Sequence, residues 1–182
     1  MHSSGWGRFP TIETITHHPA SRQGLTRLLR DVAGSMIARG MGRSYGDASL
    51  AFHTLGMTRF DHFINFDIER GTIECEAGIT LAAIVQLTVK HGWFVPVLPG
   101  TGLVTLGGAI AADVHGKNHH HDGSFSHYVD EISVMLADGS ILRCSRTTHS
   151  TLFHATAGGM GLTGVIVAAR VRLRAVHSSY MQ

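Results

Sequence analysis

Residues 38–47 read "ARGMGRSYGD", and the short apolar run "MIAR" (36–39) leads into them. The pattern predicts a strand that runs straight into a glycine turn. Glycine accepts positive φ and lets a ligand approach the main chain with no Cβ in the way. Successive N–H groups in such a turn line a concave anion site. Arg39 and Arg43 add positive charge beside it, so the loop suits a pyrophosphate. The spacing is not GxGxxG. Asp61 stands at roughly the distance where a dinucleotide site places its ribose-binding acid, about 20 residues on, but no clear βαβ unit follows it. A tight turn between two parts of the fold is the competing account of this loop taken alone.

Upstream, "TIETIT" (11–16) alternates and predicts a strand ended by His18-Pro19. Leu25, Leu28, Leu29 and Val32 fall at i, i+3, i+4, i+7, one face of a helix, which Gly34 stops. Downstream, a second unit begins near Asn65. "TIECEAG" (72–78) sets Ile73, Cys75 and Ala77 against Thr72, Glu74 and Glu76, a strand with one wet face. Leu81, Ile84, Val85 and Val89 mark a helix ended by Gly92, and "WFVPVLPGTG" is extended. Asp138-Gly139 inside "EISVMLADGSILRC" predicts a hairpin. "STLFHATAGGMG" predicts a short helix. "GVIVAARVRLRA" predicts a strand with Val165, Val167, Ala169, Val171 and Leu173 inward and Arg170, Arg172 and Arg174 solvated.

Two further glycine loops stand beside the first. "PGTGLVTLGGAIAADVHGKNHH" (99–120) enters a helix of small residues, whose N-terminus is expected to offer N–H groups to a phosphate. Gly107, Gly108, Ala109, Ala111 and Ala112 leave room for a flat ring. "GGMGLTGVI" (158–166) is the third. Three such loops around a βαβ unit and a mixed sheet point to an extended ligand with a diphosphate in its middle.

Composition bounds the possibilities. With 182 residues, 43% hydrophobic and 15% charged, the chain has a core and is not disordered. A net charge of +2 with no basic run gives no general grip on nucleic acid. Cys75 and Cys144 form no CxxC pair. No apolar run approaches the roughly 18 residues of a membrane span, and no signal peptide is visible. The expectation is a chain in the cytoplasm or peripheral at the membrane.

Seven stretches stand in one order: "GWGR" (5–8), "ARGMGRSYGD" (38–47), "VPVLPGT" (95–101), "TLGGAIAADVHGKNHH" (105–120), "GSF" (123–125), "LADG" (136–139) and "GGMGLTG" (158–164). Together they resemble the FAD-binding, PCMH-type domain of the vanillyl-alcohol-oxidase superfamily, and within it the decaprenylphosphoryl-β-D-ribose 2-oxidase group. The resemblance implies an α+β fold, with a small βαβ subdomain at about 5–64 and a larger mixed β/α subdomain at about 65–176. It implies that Arg39, Gly40, Met41, Gly42, Arg43, Ser44 and Tyr45 hold the diphosphate. Pro99, Gly100, Thr101, Thr105, Gly107 and Gly108 would line the second loop. Ala112, His115, Gly116 and Asn118 would lie near the flavin, and Gly161, Gly164 and Ile166 at the adenine end.

The resemblance also implies chemistry. The enzyme would oxidise a sugar hydroxyl to a ketone with FAD, on a polyprenylphosphoryl ribose or, as the near alternative, an aldonolactone or alditol. That would place it in cell-wall arabinan biosynthesis. Many members link FAD to the histidine of a "GxGHS" loop; here Arg43 stands at that place, which implies FAD held without a covalent bond. The substrate domain of the family lies beyond the stretch present here, so a separate chain carrying it, or a non-catalytic FAD-binding module, is the competing account.

His115, His119, His120 and His121 cluster. His115 and His119 have the i, i+4 spacing of a metal pair, but glycine and asparagine interrupt any helix between them. The resemblance instead sets His115 beside the flavin; a loop histidine satisfied by backbone is the plain alternative. No metal is expected. Lys117 reads as a solvated lysine, and His17, His18, His149, His154 and His177 form no constellation.

Overall fold

The computed structural model describes residues 2–176; His177 lies outside them. In chain order the elements are β1 (His2–Ser4), β2 (Thr11–Glu13), β3 (Ile15–His17), α1 (Arg22–Asp31), β4 (Met36–Arg39), β5 (His53–Gly56), β6 (Phe63–Asp67), β7 (Thr72–Glu76), α2 (Leu81–Thr88), β8 (Trp93–Phe94), α3 (Leu106–Ala111), α4 (His119–Asp122), β9 (Val129–Met135), β10 (Ile141–Cys144), α5 (Ser150–Thr156), β11 (Val165–Arg172) and β12 (Arg174–Ala175). The class is α+β.

A five-stranded antiparallel sheet, in the order β10-β9-β11-β7-β6, forms the larger body. Its strands bury Ile73, Cys75, Ile132, Val134, Ile166, Ala169 and Val171 on one face. The helical period of α2 and α3 brings Leu81, Ile84, Leu106, Ala109 and Ile110 onto that face. Both helices start on a threonine cap: Thr80 Oγ1 accepts from Ala83 N at 3.2 Å, and Thr105 Oγ1 from Gly108 N at 3.2 Å. Gly92 closes the α2 segment at φ +77°, the left-handed cap that glycine takes without strain.

A three-stranded parallel sheet, β3-β5-β4, is the smaller body. Leu25 of α1, with Leu55, Met57 and Phe60, packs against Met135, Val165 and Val167 on the opposite face of the large sheet. The rest of that face is a solvated charge ladder, with Arg143 bonded to both Glu74 at 3.0 Å and Glu131 at 2.9 Å.

Three sequence expectations change. The strand expected over 11–16 is two strands broken at Thr14. β2 pairs with β1, while β3 joins the parallel sheet. The buried Thr14 hydroxyl donates to Ala51 O at 2.8 Å, fastening the crossover. β5 is a strand the sequence did not reveal, and it lies between the two strands of the expected βαβ unit. The single inward row expected along 165–173 is also broken. Ile166 faces Val134 and Ala168 faces Ser133, so Val167 is a bulge. Val165 and Val167 therefore join the small-sheet core, while Ile166, Ala169, Val171 and Leu173 join the other.

Candidate functional site

β4 ends at Arg39, and the main chain turns at once into the first glycine loop. Met57 N donates to Arg39 O at 2.9 Å and fixes the exit from the strand. The Arg39 guanidinium donates to Ser4 O at 2.7 Å and Ser49 Oγ at 2.9 Å. This arginine is a strut across the base of the loop, both its terminal nitrogens bonded to the protein, and burial lowers its pKa. Gly42 and Gly46 both stand at φ +64°. A Cβ on Gly42 would strike the Arg39 guanidinium, and one on Gly40 would strike the Thr105 hydroxyl. The first loop is thus pressed onto the cap of α3.

Among the described residues, the N–H groups of Met41, Gly42, Arg43 and Ser44 donate to no protein acceptor. The Arg43 guanidinium lies 4.8 Å over the Trp6 ring and has no carboxylate partner among the described residues. Free amides in a turn, with an unspent cation beside them, suit an anion.

The second loop differs from expectation in where its donors go. Leu106 N donates to Ile79 O at 2.8 Å, Gly107 N to Ala77 O at 2.8 Å and Gly108 N to the capping Thr105. The first turn of α3 therefore has no N–H group left for a phosphate. Its contribution is a shelf of small residues. Gly107 is needed because a Cβ there would lie 3.0 Å from Ala77 Cβ, which keeps α3 tight on the end of β7.

The three loops enclose one cleft of about 700 Å3, within the range of about 300–1,000 Å3 usual for small-molecule and cofactor sites. Gly40, Met41, Gly42, Arg43, Ser44 and Tyr45 line it from the first loop, and Pro99, Gly100, Thr101, Thr105, Gly107, Gly108 and Ala112 from the second. His115, Gly161, Gly164 and Ile166 line it as well. Arg39, Gly116 and Asn118 do not line it. Gly116 is buried against Leu98 O, 2.6 Å from where its Cβ would sit. Asn118 Nδ2 donates to Pro96 O at 2.9 Å and Asp122 Oδ2 at 2.6 Å. Asp122 in turn accepts from Arg174, which holds its carboxyl below the ordinary carboxylate range. These groups fasten the loop between His115 and Ser124, which bridge each other.

Trp6, Ala38, Ala48, Ser49, Met57, Ala77, Val104, Ala111, Val114 and Met160 also line the cleft. Trp6 carried a signal, since it sits in the quoted "GWGR". Ala111 carried one as well, within the small-residue helix, and Met160 lies in the third glycine loop; Ala48, Ser49 and Met57 carried none, because each looks like ordinary packing in sequence. The described lining holds no aspartate or glutamate, and Arg43 is its one permanent cation. His115 is exposed, with its ring edge-on to His119 at 5.5 Å.

A turn of free amides, one uncommitted arginine, no opposing carboxylate and a shelf of glycine and alanine define a site for a phosphate-bearing cofactor with a flat ring. Residues 16–145 match the family described as FAD binding domain, and the chain belongs to it. The cofactor is FAD, and the residues present fit it: free amides and a positive Arg43 suit a diphosphate, and the small residues of α3 leave ring-sized room. The chain is 37% identical to the decaprenylphosphoryl-beta-D-ribose oxidase of Mycolicibacterium smegmatis, over 97% of this chain and 40% of that protein. It is 33% identical to an uncharacterized oxidoreductase in the fasciation locus of Rhodococcoides fascians, over 81% of this chain and 34% of that one. It is 32% identical to the human Delta(24)-sterol reductase, over 60% of this chain and 21% of the other. The chain thus spans less than half the length of each of these relatives.

Proposed function

We propose that the chain is the FAD-binding part of an oxidoreductase that converts a sugar hydroxyl to a ketone, with a polyprenylphosphoryl ribose as the favoured substrate. The observation that carries the flavin site is the turn 41–44, with unpaired amides beside an unpaired Arg43. The substrate class rests on the likeness to the M. smegmatis oxidase along almost the whole chain. The two parts, about 5–64 and 65–176, act as the walls of the cleft.

Bound FAD supplies the two-electron acceptor that alcohol oxidation requires. The chain's own residues bind and orient. The amides of 41–44 and Arg43 take the diphosphate, the α3 shelf takes the ring, and Gly161, Gly164 and Ile166 take the adenine end. His115, exposed on the cleft wall, would lie beside the flavin and hydrogen-bond there, tuning the ring or orienting substrate. Retention is non-covalent: a guanidinium at position 43 carries no free lone pair with which to bond the flavin. The substrate face is completed by polypeptide outside this chain, in the same protein or a partner.

The test is the visible spectrum of the purified protein before and after acid precipitation. Flavin absorbance released to the supernatant supports the reading. Flavin retained in the pellet overturns non-covalent binding, and a colourless protein that takes up no added FAD overturns the whole.

A further inference from the structure

We propose that Trp6 is a positioning residue: it holds the Arg43 guanidinium in the cleft so that its donors meet the anionic part of the ligand. The inference rests on the FAD reading above.

Four observations carry it. Trp6 is 55% exposed although it is one of the largest side chains, and it lines the cleft rather than the core. Arg43 lies 4.8 Å over its ring, within the roughly 6 Å reach of a cation–π contact. Arg43 has no hydrogen bond or ion pair to protein among the described residues. A cation–π contact uses none of the guanidinium's N–H groups as a hydrogen bond would, so these donors stay available to an anion.

The strap that carries Trp6 is the fourth. Trp6 N donates to Ser44 O at 2.8 Å, and Arg39 pulls in Ser4 O at 2.7 Å. Gly5 has no room for a side chain: a Cβ would lie 2.6 Å from Ser44 O and 2.8 Å from Gly46 O. The N-terminal strap is therefore laid flat along the glycine loop, and the indole has a fixed origin. Without the ring, Arg43 would sample open solvent over a loop of two positive-φ glycines and reach the ligand only after losing that freedom.

A double-mutant cycle tests this, with FAD titrated into the apo form of the full-length protein. Trp6→Leu is expected to weaken FAD about fivefold, the size of a partly exposed cation–π contact. Trp6→Phe, which keeps a ring face, should stay within about twofold. Arg43→Gln weakens binding on its own, and adding Trp6→Leu to it should cost nothing more. Equal losses from Trp6→Leu with and without Arg43 overturn the proposal, because the ring would then act on the ligand or the fold by itself. Unchanged affinity in Trp6→Leu overturns it too. Trp6→Met replaces the leucine variant where that one fails to fold. Wild type that binds no FAD sinks the flavin reading instead, so the two failures are distinct.

Discussion

At the residue scale, His62 and Asp122 show opposite electrostatic signs. His62 Nδ1 sits 2.8 Å from Glu76 Oε2, and that hydrogen bond raises its pKa. A raised folded value means stability that is complete below the unfolded value of about 6.5 and is lost as pH rises through the folded value. Asp122 is lowered by Arg174. Its contribution is complete above the unfolded value of about 3.9 and is lost as pH falls through the folded value. The melting temperature of His62→Gln should therefore match wild type at alkaline pH and fall below it at pH 5 to 6. Asp122→Asn should fall below wild type at neutral pH and converge with it in acid. Both pairs are solvent-facing, so both differences are small. Differential scanning fluorimetry across that range reads them, and a crossed pattern would refute the assignment. Residues also mark the limit of the sequence. Arg39 and Arg43 flank the same glycines with equal claim to an anion. What separates them is Ser4 and Ser49, 35 and 10 positions away, which bond the terminal nitrogens of Arg39.

Elements were legible where their period comes from one continuous face. The helix at 22–31 buries Leu25 and packs half-buried Leu28 and Leu29 beside it, and the strand at 72–76 buries Ile73 and Cys75, as their spacing selects. β5 is four residues long, beginning with a histidine, and becomes a strand because β3 and β4 flank it in parallel. Such pairing is non-local and leaves no periodic trace. The bulge at Val167 has the same origin: it shifts the inward row from one core to the other, where a strand of strict period two has a single row. The helix caps give the prediction at this scale. Thr80→Ala and Thr105→Ala each remove one capping hydroxyl, so each should lower stability by about 1 kcal/mol in urea unfolding. Only Thr105 lines the cleft and presses on Gly40. FAD affinity should fall in Thr105→Ala and hold in Thr80→Ala; equal effects would mean that Thr105 acts through overall stability and not through its place in the cleft.

For the whole molecule, the decisive feature is that the cleft has walls from two cores. The first glycine loop and Met57 belong to the parallel sheet, whereas Ala77, α3 and Ile166 belong to the antiparallel one. Only Met135, Val165 and Val167 of the large sheet, among the described buried residues, enter the small core. The apolar seam between the two bodies is therefore narrow, and a ligand across the cleft adds a second joint. The sequence carried the three loops and their order; it could not show that they share one cavity, because that depends on how the sheets face each other. A cofactor that binds only the folded state stabilises it by mass action, about 2.7 kcal/mol at one hundred times its Kd. For a chain of this size that is a rise of roughly 5–10 °C in melting temperature. FAD should produce this shift, and ADP a smaller one, because ADP meets the amide turn and the adenine wall but leaves the α3 shelf bare. Riboflavin, with no diphosphate, should give the least. If riboflavin shifts the transition as much as FAD, the amide turn is not the anchor. The anion site would then have to be withdrawn, even with flavin bound.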